Sequence, residues 1–66
     1  MSEPNYSEIL KTARKRMGLS QEKMAELLGV SDTSLKHWER GKLYPGETAR
    51  WIIEQKLGIV LPGRDA

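Results

Sequence analysis

Residues 19–41 read LSQEKMAELLGVSDTSLKHWERG. This stretch consists of two short segments that mix apolar with polar and charged residues, and a glycine separates them. Ser20 before the first segment is a preferred helix N-cap, and Gly29 after it is a preferred helix end. Ser31 then predicts the start of the next helix, and Gly41 predicts its end. A turn of about three residues that contains glycine is typical of two helices that cross steeply. Helices of about two turns are unstable alone in water, so both must pack against the rest of the chain.

A longer segment flanks this pair on each side. Apolar residues at helical spacing predict a first helix over residues 6–17, with Asn5 as its N-cap. The same spacing predicts a fourth helix over residues 47–57, followed by a tail over residues 58–66. No segment alternates polar and apolar residues as a half-buried strand does. We therefore expect an all-α fold in a single domain over residues 1–66, with four compact helices and a fifth only if the tail is helical.

The composition of this 66-residue chain excludes several kinds of protein. It has no cysteine and a single histidine, so disulfides and a His/Cys metal site are both excluded. No apolar run approaches the ~18 residues that cross a membrane, and the N-terminus does not look like a signal peptide. We therefore expect a cytoplasmic protein. The net charge of +2 and the pI of about 9.2 mildly favour an anionic partner.

Nothing in the sequence points to catalysis or to a bound cofactor. It contains no nucleophile–base pair, no metal-ligand cluster and no glycine-rich phosphate loop, and a chain this short has little room to enclose a pocket. We therefore expect a protein that is not an enzyme, with no cofactor, no metal and no small-molecule ligand.

The third predicted helix carries the pattern most informative about function. At ~100° per residue, Leu35 and Trp38 lie together and face the core. The opposite side carries potential cations and hydrogen-bond donors without a carboxylate: Thr33, Lys36, His37 and Arg40. The major groove of DNA admits one α-helix and offers acceptors and donors to such side chains. An ordinary solvated helix face is the alternative interpretation of this side.

Residues 19–31 resemble the motif of the lambda-repressor/Cro-like (Xre-type) helix-turn-helix regulators. Trp38-Glu39-Arg40-Gly41-Lys42, followed by Pro45, is similar to the end of their recognition helix and the loop beyond it. The resemblance covers about residues 9–59 of the chain. It implies a lambda-repressor-like DNA-binding domain, bacterial or phage-encoded, with a helix-turn-helix at residues 20–41.

The resemblance also implies roles for individual positions around a recognition helix at residues 31–40. The base-contact candidates are Asp32, Thr33, Lys36 and His37. The phosphate-contact candidates are Gln21, Ser34, Arg40 and Lys42. The position of Lys36 also lies near the phosphates in this family, and the position of Gln21 often braces the recognition helix as well.

Two of these candidates keep alternative interpretations. Asp32 can accept a hydrogen bond from a cytosine amino group, or it can act only on the positive N-terminus of its own helix. His37 contacts a base or a phosphate, or it is a simple surface histidine.

Arg14 and Glu39 border the apolar faces of the first and third predicted helices. In the family that the sequence resembles, matching positions often form an ion pair that holds the recognition helix to the first helix. Two unpaired surface charges are the alternative. If the pair is partly buried, it fixes the orientation of the helices more than it stabilises the fold.

Trp51 lies nearly opposite the core face of the fourth predicted helix, and Ile59, Val60 and Leu61 have no obvious place in so small a core. Because interfaces are enriched in tryptophan, we expect these four residues to form a two-fold homodimer contact. Alternatively, they fold back and cap the monomer. A two-fold dimer would bind a palindromic operator with half-sites about 34 Å, or ~10 bp, apart.

The function these patterns favour is a sequence-specific double-stranded DNA-binding regulator of transcription. With no effector domain expected, it would act as a small repressor that occupies its operator. The alternative is a protein-binding module that uses the same fold, such as an antitoxin or an adaptor.

Overall fold

The computed structural model describes residues 5–62, and within them it contains four α-helices and no strand. The predicted all-α fold is confirmed. The helices are α1 (Tyr6–Arg16), α2 (Gln21–Leu28), α3 (Asp32–Glu39) and α4 (Glu47–Leu57). Residues 58–62 form no fifth helix. Residues 1–4 and 63–66 lie outside the described residues. The predicted single domain over residues 1–66 includes both segments, and the predicted C-terminal tail includes the second.

The predicted caps account for where the first three helices begin. The Asn5 carboxamide oxygen accepts a hydrogen bond from the backbone N–H of Glu8 at 3.1 Å. The Ser20 hydroxyl accepts from the third residue after it at 3.1 Å, and the Ser31 hydroxyl does the same at 3.1 Å. A cap of this kind stabilises a helix by about 1 kcal/mol.

The turn between α2 and α3 depends on Gly29. Its φ of 73° lies in the left-handed region that residues with a Cβ avoid. In this conformation Gly29 N–H bonds to the Glu26 carbonyl at 3.2 Å and Val30 N–H bonds to the Ala25 carbonyl at 3.0 Å. These two bonds form a Schellman motif, which ends α2 and leaves Ser31 in position to cap α3.

The core is built from side chains of all four helices and of the segment after α4. α3 packs against both α1 and α2, and α2 also contacts α4. The buried hydrophobic residues are Leu10, Met24, Ala25, Leu28, Leu35, Trp38, Ile53 and Leu61. On α4, Ala49, Ile52 and Leu57 are half-buried against this cluster.

The position of Leu61 corrects one sequence-based prediction. Its side chain is 0% exposed, so the prediction that it contacts a second copy is wrong for this residue. Its amide donates to Glu54 Oε2 at 3.0 Å, and its carbonyl accepts from Arg50 Nη2 at 3.1 Å. Two side chains one turn apart on α4 therefore satisfy both backbone groups of Leu61, and its side chain fills the core of the monomer.

The other residues of the predicted dimer contact are placed differently. Ile59 is half-buried against the core. Trp51 is 63% exposed and Val60 is 79% exposed. The folding back of the tail thus removes Leu61 from the surface while it leaves Trp51 and Val60 on it.

The loop between α3 and α4 is held from two sides. The Tyr6 hydroxyl donates to the Leu43 carbonyl at 3.0 Å, and the Tyr44 hydroxyl donates to the Pro62 carbonyl at 2.8 Å. The two tyrosine rings meet edge to face with centroids 4.8 Å apart, and Pro45, the residue after Tyr44, is buried. These contacts fix the path of the chain directly after α3.

None of the helices within residues 5–62 has the length and apolar character that crossing a membrane requires.

Candidate nucleic-acid interface

The orientation of α3 follows from its two large apolar side chains. Leu35 is fully buried and Trp38 is nearly so, and both belong to the core that α3 forms with α1 and α2. The other side of the helix therefore faces outward, with Thr33 and Lys36 exposed and His37 half-buried.

A buried ion pair holds the end of α3 to α1. Arg14 Nε donates to Glu39 Oε2 at 2.9 Å, and Arg14 Nη2 donates to Glu39 Oε1 at 3.2 Å. The side chains are 15% and 2% exposed, respectively. The remaining terminal nitrogen of Arg14 donates to the Leu19 carbonyl at 2.9 Å, which ties the α1–α2 connection into the same cluster.

Gln21 extends this cluster to α2. Its Nε2 donates to Glu39 Oε1 at 3.1 Å. Glu39 thus accepts hydrogen bonds from α1 and from α2 at once, and these bonds compensate the removal of its carboxylate from water. The geometry matches the bracing role that the resemblance implies for Gln21.

The pairing of Glu39 determines the charge that α3 shows to solvent. Asp32 and Glu39 are the only carboxylates between residues 32 and 42. Glu39 is covered and neutralised by Arg14, while Lys36, Arg40 and Lys42 are all exposed. The outward side at the C-terminal half of α3 is therefore cationic.

Asp32 and Ser34 lie at the opposite end of α3. Asp32 is the first residue of the helix and is half-buried there. Its negative charge interacts favourably with the positive end of the helix dipole. The Ser34 hydroxyl accepts a hydrogen bond from the Ser31 hydroxyl at 3.0 Å and is also half-buried. Both residues retain oxygen atoms that can bond further partners.

Lys42 is positioned by the turn that ends α3. Gly41 has a φ of 75°, and with this conformation the Lys42 amide donates to the His37 carbonyl at 2.9 Å. The next residue, Leu43, is held through its carbonyl by Tyr6. Lys42 therefore extends the cationic side of α3 from a constrained piece of backbone.

The contacts of Arg50 and Glu54 with the backbone of Leu61 were not predicted from the sequence. Arg50 and Glu54 pair at 3.3 Å, and their i, i+4 spacing was the available signal. The hydrogen bond from the Leu61 amide holds the pKa of the Glu54 carboxyl below its ordinary value, and Arg50 acts in the same direction against the opposing effect of desolvation.

In the described part of the chain, no three His, Cys, Asp or Glu residues group as a metal site would require.

Comparison with known proteins identifies a family for most of the chain. A family model described as "Helix-turn-helix" matches residues 10–60, which include the last seven residues of α1 and the whole of α2, α3 and α4. No curated protein and no solved structure matches the chain. Proteins of the matched family are DNA-binding regulators and are typically not enzymes.

Proposed function

This chain belongs to the helix-turn-helix family of lambda-repressor-like (Xre-type) regulators, and we therefore propose that it binds a specific double-stranded DNA operator and represses transcription by occupying it. One observation carries the proposal. The side of α3 opposite the buried Leu35 and Trp38 is outward and cationic, and a buried ion pair braces the helix in that orientation.

Base recognition is assigned to the outward side of α3 in the major groove, which admits one helix. Thr33 and Lys36 are exposed there and can donate to acceptors on base edges. His37 lies on the same side, one helical turn after Thr33. Asp32 is the candidate acceptor for a cytosine amino group at the start of the helix.

Phosphate contacts are assigned to the residues around this helix. Arg40 and Lys42 are exposed cations at its C-terminal end, where they can approach the DNA backbone on one side of the groove. Gln21 can serve in both of its implied roles, because its amide nitrogen carries two hydrogens and Glu39 takes one. The Ser34 hydroxyl is the fourth phosphate-contact candidate.

A homodimer is part of the proposal. One recognition helix contacts only a few base pairs, whereas two copies related by a two-fold axis would contact a palindromic site with half-sites ~10 bp apart. Trp51 is the candidate centre of the contact, because a largely exposed tryptophan in the middle of a helix is a typical interface anchor. Val60 and the exposed part of Ile59 are the flanking candidates.

The proposed mode of regulation is occupancy. A domain of this size bound across a promoter excludes polymerase from the same DNA, and this needs no second activity. The proposed protein is cytoplasmic, of bacterial or phage origin, and located at the nucleoid when bound to DNA. The family resemblance supports this part of the proposal.

Selection from a random pool of double-stranded DNA tests the proposal directly. We expect a consensus of two inverted half-sites, and a fluorescence titration of that consensus in which affinity falls steeply as salt rises. A scrambled duplex of equal length is the control. Recovery of no consensus, with equal affinity for the scrambled duplex, would contradict sequence-specific binding.

The exposure of Trp51 also favours a second candidate, a protein-binding module such as an antitoxin or an adaptor. Association through an apolar surface responds weakly to salt, whereas DNA binding through several phosphates responds strongly. The salt titration therefore separates the two functions.

A further inference from the structure

His37 combines an outward position on α3 with an unusual environment for one of its ring nitrogens. Its Nδ1 is buried and has no hydrogen-bond partner among residues 5–62. The side chain as a whole is only half-buried. Nε2 is therefore the ring nitrogen available to a partner outside the protein.

The environment of Nδ1 restricts the tautomer of the neutral ring. A neutral imidazole carries one proton, so one nitrogen donates a hydrogen bond and the other accepts. Placing the proton on Nδ1 would bury an N–H without an acceptor, and such orphaned donors are rarer in proteins than orphaned acceptors. The favoured arrangement has a bare lone pair on Nδ1 and the proton on Nε2.

We propose that His37 is a specificity-determining residue that offers DNA a hydrogen-bond donor, Nε2–H, and no acceptor. Its partner on the base edges would be a purine N7, the O6 of guanine or the O4 of thymine. The amino groups of cytosine and adenine, which are donors themselves, would be rejected at this position. This assignment rests on the proposed function, because it requires α3 to lie in the major groove.

The tautomer is testable in the free protein, independently of DNA binding. Long-range ¹H–¹⁵N NMR spectra at about pH 8, where a free imidazole is neutral, show which ring nitrogen lacks a proton. The chain has a single histidine, so its ring signals need no further assignment. We expect the tautomer with an unprotonated Nδ1 to be more populated in the folded chain than in the same chain unfolded in urea. Tautomer populations equal to those of the unfolded chain, or a bare Nε2, would overturn the proposal.

Two amide substitutions test the role of Nε2 on the selected operator. The side-chain nitrogen of glutamine can occupy the place of Nε2. The side chain of asparagine is shorter, so its nitrogen lies near the place of Nδ1. We expect His37→Gln to keep most of the affinity and His37→Asn to lose roughly tenfold. Thr12→Ala, on the exposed side of α1, is the control, and far-UV circular dichroism checks that each variant is folded. Equal losses in both amide variants would contradict a donor at Nε2.

Modified operators identify the acceptor. Single 7-deazapurine, 2-aminopurine and 4-thiothymine substitutions remove or weaken the N7, O6 and O4 acceptors in turn, and single methylphosphonates remove phosphate charge. We expect one base substitution to weaken wild-type binding and to have little further effect on His37→Asn. If a methylphosphonate, and no base substitution, weakened wild-type binding with little further effect on His37→Asn, the partner of His37 would be a phosphate. That result would overturn the specificity role. Failure of the wild-type chain to select any operator would instead count against the proposed function, and the NMR result would stand by itself.

Discussion

Arg14 and Glu39 are joined by two hydrogen bonds of 2.9 and 3.2 Å across the contact between α1 and α3, with the carboxylate almost entirely covered. A buried pair of this kind adds little net stability, because desolvation offsets most of the attraction. Its geometry nevertheless restricts the rotation of α3 about its axis, together with the burial of Leu35 and Trp38. The pair therefore links the interior of the domain to the side that we propose contacts DNA.

The first prediction concerns this pair. We expect Arg14→Ala to weaken operator binding by about tenfold or more while most of the helical circular dichroism remains, because α3 loses its brace. The unpaired Glu39 carboxylate also lowers the free energy of unfolding, by up to ~3–5 kcal/mol if the group stays buried and charged. The double variant Arg14→Ala/Glu39→Ala removes that charge, so it should regain stability without regaining affinity. Unchanged affinity in both variants would exclude an orienting role.

The second prediction compares two changes at Gln21. Gln21→Ala removes one hydrogen bond to Glu39 and should lower the free energy of unfolding by about 1 kcal/mol. Gln21→Glu places a second carboxylate beside Glu39, so it should be more destabilising at neutral pH and should recover as the pH falls and one carboxylate is protonated. Urea unfolding at pH 7 and pH 5 measures both effects. Equal destabilisation by the two variants at pH 7 would show that Gln21 does not approach Glu39 in solution.

The third prediction is a pH dependence at Glu54. Its pKa is lower in the folded chain than its ordinary value near 4.5, chiefly because it accepts from the Leu61 amide. A carboxyl group whose pKa is lower in the folded chain than in the unfolded chain stabilises the fold at any pH above its unfolded pKa. This contribution is lost as the pH falls through the folded pKa. We expect the decrease in stability from pH 6 to pH 3 to be smaller in Glu54→Gln than in the wild-type chain. Glu26→Gln, at an exposed position of α2, is the matched control and should follow the wild type.

The fourth prediction separates phosphate contacts from general charge. Arg40→Ala and Lys42→Ala should each reduce the slope of log affinity against log salt by about one, as expected for the loss of one phosphate contact. Lys56→Ala removes the same charge from the last turn of α4 and should leave the slope nearly unchanged. Equal slopes for all three variants would place the DNA elsewhere on the domain.

The fifth prediction concerns the proposed homodimer. Trp51→Ala should weaken binding to a full palindrome by roughly tenfold or more, the loss expected for an interface anchor. Binding to a single half-site should be unaffected, because Trp51 is largely exposed on α4, whereas α3 packs against α1 and α2. Sedimentation of the operator complex gives the number of bound copies. Two copies bound with unchanged affinity would move the dimer contact away from α4.

Much of the fold was predictable because the signals are local. A cap bonds its helix within three residues, as Ser20 and Ser31 do, and Gly29 adopts its positive φ within a turn of a few residues. The spacing of Leu35 and Trp38 likewise identified the buried side of α3, since helical periodicity alone decides which residues share a face.

The residue pattern alone was therefore enough to predict the four helices, their approximate ends and the outward side of α3. Which half of the tail is buried depends on the tertiary fold, because the core into which Leu61 packs is built from all four helices, and α4 supplies the Glu54 and Arg50 groups that bond its backbone. The same holds for His37. Helical periodicity predicts that its side chain faces outward, whereas the burial of Nδ1 depends on tertiary packing that periodicity does not describe. Local propensity acts over one helical turn, whereas burial depends on residues brought together from distant parts of the chain.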